Sequence, residues 1–189
     1  MTPPPTQSPT QSPTPLLLTP EALDARRDAL ADLLLDAVAG GASVGFLDRI
    51  AHHEAAAWWD GLRPSVAAGT RLLWVVEDAA GRVLGTVSLI REEKPNGRHR
   101  AEIAKLLVHR TARGAGLGRR LLAHAERAAR DAGTTLLLLD TQTGSPAEHL
   151  YRTAGWTAFG TVPAHAATPD GTLADTTYYY KRLDHPAGH

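Results

Sequence analysis

The stretch VHRTARGAGLGRRLLAHAERA, residues 108–128, sets Gly114, Gly116 and Gly118 among arginines at the head of a helix. Glycine is a poor choice there on conformational grounds, because each one adds backbone entropy that folding must remove. Its use is steric: without a Cβ, a ligand can come up against the backbone. A loop that leaves a strand and opens a helix presents unpaired N–H groups at the positive end of the helix dipole. Phosphate oxygens suit such a place, and Arg113 and Arg119 can add charge-assisted hydrogen bonds. The loop reads as a pyrophosphate cradle, and the alternative is a glycine-rich turn with no ligand.

Working outward, "RHRAEIAKLLVH" is a strand that runs straight into this loop, and "KPNG" turns the chain into it. Ahead of it, "TRLLWVVED" and "GRVLGTVSLIRE" are strands joined by Ala79-Ala80-Gly81, a hairpin signal. Leu16–Thr19 reads as a short strand. Thr19 and Pro20 then cap and start a helix whose Leu23, Leu30, Leu33, Leu34, Ala37 and Val38 recur at helical spacing up to Gly40-Gly41. A second helical stretch carries Phe46, Leu47, Ile50 and the Trp58-Trp59 pair and ends near Gly61 and Pro64. Downstream, the loop helix runs from about Gly116 to Ala132. "TTLLLLDT" is an apolar run of the kind found in a strand covered on both faces. Ser145 to Thr153 is a short helix, and "GWTAFGTV" and "TTYYYKRL" are closing strands in which Tyr178, Tyr179 and Tyr180 alternate across the sheet. The order is β-α-α-β-β-β-α-β-α-β-β: antiparallel strands first, then a β-α-β unit that implies one parallel pair. Residues 16–183 form one mixed α/β domain.

Composition excludes several classes. The chain has 189 residues, 43% of them hydrophobic, which is enough for one domain with a substantial core. Its 20 basic and 20 acidic residues balance, so no global field gathers nucleic acid or a membrane surface. No cysteine is present, which removes disulfides, thiol nucleophiles and Cys-type zinc sites and fits a cytoplasmic protein. The first fifteen residues, MTPPPTQSPTQSPTP, are too polar to offset chain entropy and read as a disordered tail, and residues 184–189 as a C-terminal tail. The start lacks the charged and apolar regions of a secretory signal, and Leu16–Leu18 is far too short to span a bilayer. His52-His53-Glu54 lacks the H-E-x-x-H spacing and the other histidines are scattered, so no metal site is expected.

The loop does not end in Gly-Lys-Ser/Thr as a Walker A loop does, and it lacks the spacing and position of a dinucleotide fingerprint. What it matches is R-x-x-G-x-G, Arg113 to Gly118, preceded by "KLLVH". With "AEHLYRTAGW" further on, the chain resembles the GNAT superfamily of N-acetyltransferases over roughly residues 16–183. The resemblance implies a GNAT fold: a mixed, mostly antiparallel sheet with one central parallel strand pair, flanked by helices. It also implies acetyl-CoA as co-substrate, held by Leu106, Leu107, Val108, Arg113, Gly114, Ala115, Gly116, Leu117, Gly118 and Arg119. "LLLLDTQTGSPAEHLY" and "TPDGTLADTTYYYKRL" are similar to the tabtoxin-resistance type, which acetylates an amine of a small amino-acid-like toxin. One departure is Gly144, where many family members carry asparagine.

Acetyl transfer to an amine requires that the amine lose a proton, the thioester oxygen be stabilised and the departing thiolate be protonated. Tyr151, on the second motif's helix, is the candidate acid by resemblance, or else a core tyrosine. Glu102 is a candidate base: alternation puts it on the face of Ala104, Leu106 and Val108, where apolar neighbours raise a carboxylate's pKa. The competing reading is a pairing with Arg100 or Lys105. Asp140 ends the apolar run at the carboxyl edge of the parallel pair, either as base or ammonium holder or as a turn or cap residue. Trp58 and Trp59 are core residues or line the acceptor pocket. Without cysteine the transfer is direct, in a ternary complex. The expected acceptor is a small amine, with toxin or antibiotic resistance as the setting and a homodimer as a possible assembly. The alternatives are a protein or peptide acceptor and a non-catalytic acyl-CoA sensor.

Overall fold

The structure, a computed structural model, describes residues 14–183. Most of the N-terminal tail and all of residues 184–189 lie outside the described residues, so the readings of both tails are not addressed by it. In chain order the elements are β1 (Leu16–Leu17), α1 (Pro20–Ala39), α2 (His52–Asp60), α3 (Arg63–Ala67), β2 (Arg71–Glu77), β3 (Val83–Arg91) and β4 (Arg100–Val108). There follow α4 (Leu117–Asp131), β5 (Leu136–Gln142), α5 (Pro146–Thr153), β6 (Thr157–Ala167) and β7 (Leu173–Arg182). The strands form a seven-stranded sheet in the order β1-β2-β3-β4-β5-β7-β6, antiparallel except for β4 against β5. This is the mixed sheet with one central parallel pair that the element order implies.

Each face of the sheet has its own core. On one, α4 and α5 bury Leu121, Leu122, Ala125, Ala129 and Tyr151 against Trp74, Val87, Leu89, Ala101, Ile103, Leu137, Leu139 and Tyr179. Each leucine so buried is worth roughly 1.5–3 kcal/mol. On the other, α1 and α2 bury Leu23, Leu30, Leu34, Ala55 and Trp59 against Leu73, Val75 and Leu107. Strand alternation produces the division: Trp74 and Val76 face α4, while Leu73 and Val75 face α1. The caps are side-chain built, with Thr19 Oγ1 accepting from Ala22 N at 3.2 Å and Ser145 Oγ from Glu148 N at 3.1 Å.

Three local expectations need correction. The second helix begins only at His52, so Phe46, Leu47 and Ile50 lie in the α1–α2 loop. Their helix-like spacing reflects loop side chains packing inward: Phe46 meets Trp58 edge-on at 5.6 Å, while Leu47 stays exposed. The second helix does end near Gly61, its C-cap, but Pro64 then sits in the first turn of a further short helix, α3, where its fixed φ suits a helix start. The first strand stops at Leu17 rather than Thr19, because Thr19 turns to cap α1.

Candidate active site

The parallel pair is short. β4 and β5 are joined at Arg100–Leu136, Ala101–Leu137 and Glu102–Leu138, and no further. β5 continues to Gln142 paired only with β7, and β4 continues to Val108 paired only with β3. The strands therefore part, and the β4 backbone from Lys105 to Val108 has no strand on its β5 side. A bulge accompanies the parting. The β3–β4 register shifts between Thr86 and Ser88, so Lys105 and Leu106 together oppose Val87, and Lys105 takes φ 49°. The left-handed region disfavours a residue with a Cβ by roughly 1–2 kcal/mol. Lys105 is held there by its side chain, whose Nζ donates to the Val44 carbonyl at 2.8 Å and lies 5.0 Å from the Trp58 ring centre.

The bulge overturns one expectation about Glu102. Before it, Ala101 and Ile103 face α4 and Glu102 faces the opposite side; after it, Leu106 and Val108 face the α4 side and Leu107 packs with α1 and α2. Glu102 therefore shares a face with Lys105 and Leu107, not with Leu106 and Val108. Its neighbours across the sheet follow from register: Arg71 pairs with Ile90, Ile90 with Glu102, Glu102 with Leu138, and Leu138 with Tyr180. Asp140, two residues beyond Leu138, is on the same face.

No ion pair or cap engages either carboxylate among the described residues. Arg100 pairs with Glu92 at 2.8 Å and Lys105 with a backbone carbonyl, so Glu102 has neither as partner. Asp140 is a mid-strand residue, opposite Tyr178, and caps nothing. Loss of hydration, followed by the nearby Asp140 carboxylate, pushes the Glu102 pKa above the ordinary range, against the pull of Arg71 and Lys105. Burial and then the Arg71 charge lower that of the Lys105 amine, against Asp140 and Glu102. Sequence reasoning named Lys105 only as a possible partner of Glu102 and did not single out Arg71, whose place opposite Glu102 appears only in the register.

Tyr151 is buried on the α5 side, 6.0 Å from the Trp156 ring and 6.4 Å from that of Tyr179. Burial, and then the Asp140 charge, raise its pKa. The shared electrostatic neighbour ties Tyr151 to the parting of the strands. Of the tryptophan pair, Trp59 is fully buried core and Trp58 is half-buried under Lys105.

The glycine loop has the geometry of a cradle. Gly114 and Gly116 have φ of 79° and 74°, and Gly116 is the N-cap of α4. The amides of Leu117, Gly118 and Arg119 precede the first intrahelical bond, Arg120 N to Gly116 O. Ala115 is exposed beside them. Gly118 has a packing role as well: a Cβ there would lie 3.4 Å from Leu150 Cδ2 and 3.6 Å from Val108 Cγ2. Both loop arginines already have protein partners. Arg113 Nε donates to Val108 O at 3.1 Å, and Arg119 reaches Thr153 Oγ1 at 2.7 Å. The loop is tied to α1 through Asp36, which accepts from Arg110 N at 2.9 Å and from Arg110 Nε. Burial pushes the Asp36 pKa up, but these bonds and His109 bring it below the ordinary range. Gly144, the departure from the family pattern, has φ 77° and donates its amide to Glu148 at 2.6 Å. Among the described residues no group of three or more His, Asp or Glu could hold a metal ion, and no helix is long and apolar enough to cross a membrane.

The sheet is thus parted at its central parallel pair, with a glycine-capped helix after the inner strand. The profile of the acetyltransferase (GNAT) family matches residues 43–156, and the chain belongs to that family. Among solved structures, yncA from Salmonella typhimurium with its cofactor acetyl-CoA aligns with TM-score 0.71 and 22% identity, covering 95% of this chain and 98% of that one. A GNAT superfamily phosphinothricin acetyltransferase from Sinorhizobium meliloti in complex with acetyl-CoA gives 0.72 and 20%, covering 93% and 92%. A ribosomal-protein-alanine N-acetyltransferase from Brucella melitensis gives 0.72 and 24%, covering 90% and 99%. One of these is named for a small molecule and another for a protein, so the shared fold leaves the acceptor open.

Proposed function

We propose that this chain transfers the acetyl group of acetyl-CoA to the amine of a small amino-acid-like molecule. The observation that carries the reading is the parted strand pair, with carboxylates on one side of it and a buried tyrosine on the other. The exposed β4 backbone and the free amides at Gly116 fit an extended acyl-CoA: Leu106, Leu107 and Val108 along its arm, and Arg113 to Arg119 around its pyrophosphate. Bound there, acetyl-CoA supplies an activated thioester. Glu102, with Asp140 beside it, takes a proton from the acceptor ammonium; its raised pKa suits a base near neutral pH. The amine nitrogen then bonds to the acetyl carbon as the carbon–sulfur bond breaks. Tyr151 keeps its proton in the resting state and relays one: its hydroxyl gives a proton to the departing thiolate as the second proton of the amine nitrogen replaces it.

The similarity of "LLLLDTQTGSPAEHLY" to the tabtoxin-resistance type supports a compact acceptor, a role in detoxification or antibiotic resistance and a cytoplasmic setting, alone or as a homodimer. The zero net charge adds support, since it provides no field for gathering basic or acidic protein tails. A thiol-release assay against amino acids, amine antibiotics and basic peptides tests the reading. The expected result is turnover with a small amine at least about tenfold above any peptide in kcat/KM, about 1.4 kcal/mol in the transition state. A peptide preferred by the same margin reverses it, and acetyl-CoA binding without turnover of any amine favours a sensor.

A further inference from the structure

The row Arg71, Ile90, Glu102, Leu138, Tyr180 crosses five adjacent strands in register, on the sheet face opposite α4 and α5, the face that α1 and α2 pack against. Arg71 and Glu102 are two strands apart, about 10 Å at the backbone, close enough for each to feel the other's charge. Asp140 and Lys105 flank the row. Two cations and two carboxylates thus converge, and their formal charges cancel. Yet no ion pair joins any two of them among the described residues, although Arg26, Arg63, Arg82, Arg100, Arg110 and Lys181 all find carboxylates elsewhere.

Arg71 is the most exceptional. Its Nε is buried and has no hydrogen-bond partner. A guanidinium nitrogen withdrawn from water and left unpaired forfeits a charge-assisted bond; Arg120 Nε on α4 is in the same condition, but only Arg71 stands in register with a carboxylate two strands away. Lys105 is different, because its ammonium is already engaged by the Val44 carbonyl and the Trp58 ring. Lys105 therefore contributes field, while Arg71 has hydrogen bonds to give. A ligand complementary to such a cluster carries both signs of charge at short range.

We propose that Arg71 receives the acid group of a zwitterionic acceptor whose amine is taken by Glu102 and Asp140. This rests on the acetyl-transfer reading and narrows its acceptor to amines that bear a carboxylate or a similar oxyacid. A planar guanidinium suits such a group, because it can present two parallel N–H donors to two oxygens. Arg71 is then a specificity residue, and the acceptor's acid group fixes the orientation of its amine.

The test compares the protein amino acids with their methyl esters and their decarboxylated amines, in wild type, Arg71→Gln and Arg71→Lys. The expected wild-type result is that a turned-over amino acid exceeds its own ester by about tenfold or more in kcat/KM. Arg71→Gln brings that ratio near unity by raising KM for the acid, with acetyl-CoA affinity unchanged by calorimetry. Arg71→Lys recovers part of the preference. Esters and plain amines used as well as acids by wild type, or an acid preference that persists in Arg71→Gln, overturns the proposal while leaving acetyl transfer standing. No turnover of acids, esters or amines, with acetyl-CoA still bound, overturns the underlying reading and this assignment with it.

Discussion

Two groups of charges lie on opposite faces of the same sheet and are built on opposite rules. On the α4 side, Glu126 accepts from Trp156 Nε1 at 2.8 Å and from Lys181 Nζ at 2.7 Å, and Lys181 also donates to Ala154 O at 2.8 Å. Every member has a partner, and the cluster joins α4 to β7 and to the start of β6. On the α1 and α2 side, Arg71, Glu102, Lys105 and Asp140 lie near one another without ion pairs, the Glu102 pKa is raised, and Arg71 keeps a buried unpaired nitrogen. The first arrangement is what stability selects. The second is the arrangement expected where a ligand completes it, and it is the basis of the acceptor site proposed above.

The largest effect that tests this difference is on rate. Asp140→Asn removes a charge from the unpaired cluster, and kcat/KM for the best small amine falls by about 10²-fold or more if the carboxylate takes part in proton removal. The same variant reports on coupling. Asp140 is one reason the Glu102 pKa is raised, so its neutralisation lets Glu102 ionise at lower pH, and the acidic limb of the residual kcat/KM profile moves down. A limb that stays in place, or wild-type rates at all pH, removes Asp140 from the mechanism.

The structural cluster responds in the other currency. Lys181→Met leaves the Glu126 carboxylate, 11% exposed, without its cation. A loss of about 2–3 kcal/mol follows, roughly 4–12 °C in Tm for a chain of this size, with kcat/KM unchanged at temperatures where the protein is folded. A large rate effect from Lys181→Met would erase the distinction. Asp36→Asn has a smaller effect. It weakens the tie between α1 and the loop by about 1 kcal/mol and loosens acetyl-CoA binding in calorimetry, while an unchanged affinity would show that the cradle needs no support from α1.

The parts of this legible in sequence are those where one residue type has one use. Gly114 and Gly116 announced the loop because left-handed φ and an open backbone call for glycine. The element order followed from periodicity, and with it the single parallel pair. The bulge at Lys105 was not legible, because neither Lys105 nor Leu106 is a residue that marks a bulge, and simple alternation then put Glu102 on the face of Leu106 and Val108. Arg71 was invisible for a related reason: its meaning lies in register with Glu102 two strands away, which local pattern does not carry. Phe46, Leu47 and Ile50 mimicked a helix because a loop packed over an aromatic pair also spaces apolar residues three and four apart.

The smallest effect is the most direct test of the central claim, that the unpaired cluster is kept for a ligand and not for the fold. A carboxylate whose folded pKa is raised adds stability below its unfolded pKa, and that contribution is lost as pH rises through the folded value. Glu102→Gln, which cannot ionise, should therefore melt no lower than wild type at pH 7, with the gain kept small because the side chain is exposed. The difference should shrink as falling pH protonates Glu102 in wild type, and thiol release with the best small amine should fall sharply in the same variant. A Tm that drops at pH 7 with turnover retained would contradict the account, because Glu102 would then be holding the sheet together and not serving the chemistry.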